Sequence, residues 1–186
     1  MQNKKQIRQF ILQQRNNSDV SLILYQNLLQ NAKKYLDTID NNDYIAGYYP
    51  IASELNLLPL FEQFQYIAMP VITPAHDLEF YQWNKNAKMV ASLYAPNILE
   101  PLQRDEIISP TIVIAPLIAC DQLGNRVGSG KGIYDRVISR LRSFNSKLIY
   151  LAICYDYQLL EYIPVENHDQ KLDVIITETK TLLCKC

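Results

Sequence analysis

The stretch TIVIAPLIACDQLGNRVGSGKGIYDR, residues 111–136, changes character three times. TIVIAPLIAC (111–120) is a continuous apolar run of strand length. A strand that is apolar on both faces belongs inside a parallel sheet covered by helices. DQLGN (121–125) is turn chemistry. From about Ile133 the pattern becomes helical, with Tyr134, Val137, Ile138 and Leu141 at i, i+3, i+4 and i+7. Between strand and helix lie four of the chain's five glycines, Gly124, Gly128, Gly130 and Gly132.

The same grammar recurs outward from this stretch. KLIYLAICY (147–155) and DVIIT (173–177) follow as apolar strands, and YIAGYYPI (44–51) and YIAMPVI (66–72) precede it. LEFYQW (78–83) alternates weakly and reads as a further strand. Residues 2–15 read as a helix with Ile7, Phe10 and Ile11 on one face. Ser18 reads as the cap of a second helix over 19–36, with a stripe through Tyr25, Leu28, Leu29 and Ala32. A third helix is expected over 53–64 with Ser53 as its cap, although Pro59 argues for a later start or a kink. Strands alternating with helices give a single three-layer, Rossmann-like α/β domain over 1–186, with a mostly parallel sheet flanked by helices. Ligands of such sheets sit at the carboxyl ends of the strands, which directs attention to the loops after Tyr49, Ile72, Cys120 and Cys154.

A glycine-rich loop opening a helix is an anion site, because free N–H groups and the positive end of the helix dipole meet there. Glycine lets the amides curl inward, and Arg126 and Lys131 add full positive charge. A polyphosphate is the natural guest. The loop is not a Walker loop: aligned on Lys131, Asn125 stands where its first glycine belongs, and Gly132 where its magnesium-binding hydroxyl belongs. The spacing G-x-G-x-G also differs from the dinucleotide fingerprint. Asp135, about a turn below the loop, is a candidate for the missing metal oxygen. The plain alternative is a tight turn without a ligand.

Composition limits the field. With 18 basic and 19 acidic side chains the formal net charge is −1, so no broad basic field for nucleic acid exists. No apolar run is long enough to span a membrane, and the N-terminal segment lacks a signal-peptide pattern, so a cytoplasmic protein is expected. Cys120, Cys154, Cys184 and Cys186 form no C-x-x-C pair; the terminal C-K-C reads as a frayed tail of free thiols. Other polar positions are individually weak. Read alone, Lys4 and Arg8 are a solvated helix face before a clamp, Glu54 a solvated helix-start glutamate, and His168 and Asp169 turn chemistry. His76 and Asp77 read as an ordinary loop.

Taken together these positions resemble one family. The long motif from Pro116 to Arg136 resembles the signature P-x-x-A-F-D-x-x-G-x-R-L-G-x-G-x-G-Y-Y-D-R of the 5-formyltetrahydrofolate cyclo-ligases, also called 5,10-methenyltetrahydrofolate synthetases. The family's basic K-x-x-x-R helix is matched by Lys4 to Arg8, its E-x-x-T segment by Glu54, and its strand-ending proline by Pro70. NILEP (97–101) and the set Gln158, Pro164, His168 and Asp169 complete a collinear match. Cys120, Val127, Ile133, Leu57 and Asn97 depart from the pattern.

The resemblance implies an ATP- and magnesium-dependent ligase. ATP phosphorylates the formyl oxygen of 5-formyltetrahydrofolate, and closure to 5,10-methenyltetrahydrofolate releases ADP and phosphate. It implies nucleotide contacts at Lys4, Lys5, Gln6, Ile7 and Arg8. Further contacts are implied at Arg126, Val127, Gly128, Ser129, Gly130, Lys131, Gly132, Ile133 and Tyr134. Arg126, Lys131 and Tyr134 take the catalytic roles, Tyr49 and Glu54 the folate, and Asp135 and Asp169 the metal. Phe80 and Trp83 are candidates for the pterin slot or for the core. The expected partners are the two small-molecule substrates, with no nucleic acid and no membrane, and the expected state is a monomer. The alternatives are a non-catalytic nucleotide sensor and a phosphosugar- or CoA-handling enzyme of related fold.

Overall fold

A computed structural model describes residues 3–17, 20–40 and 42–184. Its centre is a run of five parallel strands in the order β12 (Val174–Ile176), β10 (Ile149–Ile153), β7 (Ile112–Ile114), β1 (Ile45–Ala46) and β2 (Ile67–Ile72). Antiparallel strands extend both edges: β13 (Thr181–Leu183) beyond β12, then β3 (Leu78–Trp83) and β6 (Ile107–Ile108) beyond β2. The expected α/β architecture with a mostly parallel sheet is therefore present.

The strand residues alternate between two cores, as a period of two requires. Ile45, Ile67, Ile112, Leu151 and Val174 pack on one face with Leu28, Ala32 and Leu36 of α2 (Leu22–Leu36). Ala46, Ala68, Val113, Ala152 and Ile175 pack on the other with Val137, Ile138 and Leu141 of α4 (Ile133–Phe144). These two helices make the outer layers. Phe80 and Trp83 are buried in the two cores, so core packing, not a stacking platform, accounts for them.

Several boundaries differ from the expectation, each for a local reason. Ser18 lies outside the described residues; α2 begins at Leu22, with the Ser21 hydroxyl accepting from the Leu24 amide at 3.3 Å. Only Ile45 and Ala46 of 44–51 pair as strand before the chain leaves the sheet. The helix expected over 53–64 shrinks to α3 (Leu58–Phe61), because Pro59 fits only the first turn, where no N–H is needed. In α1 (Lys4–Asn17), Ile7 and Ile11 are buried but Phe10 is exposed.

The largest correction concerns 111–120. Its apolar run is two strands. β7 ends at Ile114, and Pro116 lies in the break before β8 (Ala119–Asp121). β8 joins a separate small sheet between β9 (Arg126–Val127) and β11 (Leu159–Leu160). Where the ladder stops, main-chain carbonyls need other donors. Arg15 Nη2 supplies one to Leu117 O at 2.8 Å, and Gln158 Nε2 one to Ile118 O at 3.0 Å. β1 is followed by β2 on one side and flanked by β7 on the other, so the strand order reverses at β1. The crevice there is where open α/β sheets bind ligands.

Candidate active site

The glycine-rich segment splits into two parts with different duties. Asp121, fully buried, accepts from the Leu123, Asn125 and Ile163 amides and from the Asn125 side chain. This clamps the β8–β9 turn. Gly124 closes it at φ +82°, and a Cβ there would meet Leu172 O at 2.5 Å. Gly124 thus belongs to the turn and lies outside the anion loop, which narrows that loop to residues 128–132.

Within 128–132 the amides behave as an anion site requires. Among the described residues, none of the amides of Ser129, Gly130, Lys131 and Gly132 is donated to another group of the chain. Gly130 and Gly132 have φ +97° and +63°, and Gly132 caps α4, whose first-turn N–H groups follow directly. Ser129, Gly130 and Lys131 are exposed.

Basic residues converge on this loop from two elements. Arg8 Nε donates to Gly128 O at 2.8 Å, and its guanidinium lies over Gly130, 3.2 Å from where a Cβ would stand. Lys4 Nζ donates to Asp169 at 2.7 Å. Arg126, buried beneath the loop, pairs with Asp135 at 2.8 Å. The Gln170 amide donates to the same Asp135 oxygen at 3.0 Å. Burial alone would raise the Asp169 carboxyl, but the Lys4 ammonium and the Glu166 amide outweigh it and hold it below its ordinary value. Asp169 also stands with Glu166 and His168 in a cluster whose donor atoms lie within 4.8 Å of one another. Two of the three are carboxylates, the donor type a hard cation takes, and Asp135 is not a member of this cluster.

A cavity of about 240 Å³ opens at the strand ends beside the reversal point. Tyr48, Glu54, Leu117 and Tyr155 line it, with Arg15 and Tyr157 closing one side. Glu54 Oε2 accepts from the Ile51 amide at 3.1 Å. Burial pushes the Glu54 carboxyl up, opposed in part by that amide and by Arg15. Glu54 therefore belongs to the cavity and is not a solvated helix-start residue. Tyr49 follows in sequence and is half-buried; Tyr48, with its hydroxyl on Leu55 O at 2.8 Å, is the residue that lines the cavity.

Tyr134 lies in the first turn of α4, directly after the loop. Burial raises its phenol strongly, and it lies within the fields of Tyr150, Glu54 and Arg126. A phenol so raised stays protonated and serves as a neutral donor. Sequence reasoning missed Arg15, Tyr48 and Tyr157. Arg15 lies seven residues beyond the K-x-x-x-R pair, and its helical position on the same stripe was the available signal.

The fold and this arrangement define an α/β protein with a glycine-rich loop at the start of α4 and a cavity of about 240 Å³ at the strand ends. The chain belongs to the 5-formyltetrahydrofolate cyclo-ligase family, whose description it matches over residues 1–178. It is 29% identical to the 5-formyltetrahydrofolate cyclo-ligase of Escherichia coli strain K12 over 149 residues, 73% of this chain and 78% of that one. It is 27% identical to the enzyme of the same description from Mycoplasma genitalium over 158 residues, covering 82% and 83% of the two chains. The solution structure of Aquifex aeolicus 5,10-methenyltetrahydrofolate synthetase superposes with a TM-score of 0.77 at 25% identity, covering 98% of this chain and 93% of that one. No helix among the described residues is long and apolar enough to cross a membrane.

Proposed function

We propose that this chain closes 5-formyltetrahydrofolate to 5,10-methenyltetrahydrofolate at the expense of ATP, acting as a cytoplasmic monomer built from one domain. The observation that supports the reading is the row of amides at Ser129–Gly132, which among the described residues is donated to no other group of the chain, at the start of α4.

The formyl group is an amide, and its oxygen leaves poorly until it is phosphorylated. The formyl oxygen attacks the γ-phosphorus and ADP departs. The N10 lone pair then adds to the activated carbon, N10 gives up its proton, and the C–O bond breaks to release phosphate. The protein's part is positioning and charge neutralisation, with no nucleophile of its own. The 128–132 amides and α4's first turn cradle the phosphates. Lys4, Arg8 and Lys131 neutralise them at the rim, with Arg126 beneath. Tyr134 donates a hydrogen bond near the transferred group, and Glu54 accepts from the pterin N–H edge. Asp135 and Asp169 would hold magnesium, which when bound spreads the charge of the phosphate oxygens.

The test is the ultraviolet absorbance of the methenyl product, followed with purified protein, 5-formyltetrahydrofolate, magnesium and ATP. Product that requires ATP supports the reading. Turnover without nucleotide refutes the mechanism. ATP binding by calorimetry with no turnover would favour a nucleotide sensor.

A further inference from the structure

Arg15 has no part in the resemblance, yet it is the one cation among the described residues lining the cavity, where Glu54 is the one anion. The two are held apart by other partners: Arg15 Nη2 on Leu117 O at 2.8 Å, Glu54 Oε2 on the Ile51 amide at 3.1 Å. Tyr157 lies within reach of the same guanidinium. Its anchor exists because the chain breaks at Pro116 and frees the Leu117 carbonyl. A guanidinium offers five N–H groups in a rigid fork, so one bond to Leu117 leaves donors for a guest.

A cavity with a carboxylate and a separate guanidinium asks for a guest with donors on one edge and an acceptor beside them. The pterin ring of the proposed substrate has that pattern: an amino group and ring N–H as donors, and a ring carbonyl at C4 as acceptor. On the cyclo-ligase reading, we propose that Arg15 binds the C4 carbonyl of the pterin and, opposite Glu54, selects a 4-oxo ring over a 4-amino ring.

The placement of Arg15 on α1 strengthens this. At about 100° per residue, Lys4, Arg8, Ile11 and Arg15 fall within ~60° of one another on one helix face. Lys4 and Arg8 meet Asp169 and Gly128 of the nucleotide region, while Arg15 lines the ring cavity about 10 Å beyond Arg8 at ~1.5 Å per residue. One helix thus touches both substrates.

The experiment compares wild type with Arg15→Gln and Arg15→Lys. It reads KM for 5-formyltetrahydrofolate and for ATP, calorimetric binding of the folate, and inhibition by a 4-amino-4-deoxy folate analogue relative to its 4-oxo parent. R15Q is expected to raise the folate KM about tenfold or more, the scale of a charged hydrogen bond, with the ATP KM within about twofold. The preference for 4-oxo over 4-amino should fall by a similar factor, and R15K should recover part of it. An unchanged preference in R15Q overturns the proposal. So does an equal rise in both KM values, which would assign Arg15 to docking α1 alone. Wild-type protein that binds the folate but forms no methenyl product would sink the ligase reading, and the calorimetric comparison would still decide Arg15.

Discussion

Gly124 and Gly130 share a positive φ, +82° and +97°, but their surroundings separate them. A methyl group at Gly124 meets a backbone carbonyl, which cannot swing away; at Gly130 it meets the end of the Arg8 side chain, which can. Gly124→Ala is expected to lower stability by at least about 2 kcal/mol, read by urea unfolding, because strained backbone and clash add. Gly130→Ala should cost about 1–2 kcal/mol from backbone strain alone, and raise the ATP KM several-fold by displacing Arg8 from the loop. Glu54 gives a prediction in pH. Burial raises its folded pKa above the ordinary 4.5, so the folded state holds this proton more tightly than the unfolded chain. Its favourable contribution to stability is complete below pH 4.5 and is lost as pH rises through the folded value. Binding runs the opposite way, since accepting pterin N–H groups needs the carboxylate. The groups around it are Arg15 of α1, Tyr48, and Tyr134 of α4. The folate kcat/KM is expected to fall on acidification from a pH above 4.5, and Glu54→Gln should flatten that limb while raising the folate KM.

At the level of elements, α1 is the weakly attached piece. Ile7 and Ile11 are its buried side chains, packed on Ile118, Ala119, Val127 and Ile163. Lys4, Arg8 and Arg15 pin the rest of its inner face. Ile11→Ala removes apolar contact worth about 2–5 kcal/mol in a typical core. The expected result is local: faster hydrogen exchange of α1 amides and a higher KM for ATP, with the main sheet protected as before. Exchange accelerated uniformly would contradict this. Elements also mark where the sequence was legible. The parallel strands and α4 were readable because continuous apolar runs and a 3.6 period are local signals. The division of 111–120 was not, because Ile112–Ile114 and Ala119–Cys120 are equally apolar and equally buried. Only the pairing partners tell the two strands apart, and those lie far off in sequence. Phe10 misled for a related reason: helical period places it beside Ile7 and Ile11, but its side chain is exposed while theirs are buried.

Across the whole molecule, the proposed site gathers segments far apart in sequence: α1, the strand exits at 47–54 and 115–118, the loop at 128–132, and the turn at 166–170. The loop was visible in sequence because glycine is otherwise scarce; the cavity was not, since Arg15, Tyr48 and Tyr157 meet only once the sheet is assembled. A ligand held by so many segments should stabilise the fold as a unit. ATP with magnesium at about a hundred times its Kd should add ~2.7 kcal/mol, raising Tm by roughly 5–10 °C for a chain of this size. No shift in a thermal melt would count against the nucleotide site. The ion pairs Lys4–Asp169 and Arg126–Asp135 carry a last consequence. On the proposed function, a lone inorganic phosphate could engage those bases only by stranding their acids, a losing exchange. A nucleotide arriving together with a dication brings a new mate for each side at once. On the proposed function, charge matching at these two bases would favour an incoming metal–nucleotide pair over a free anion.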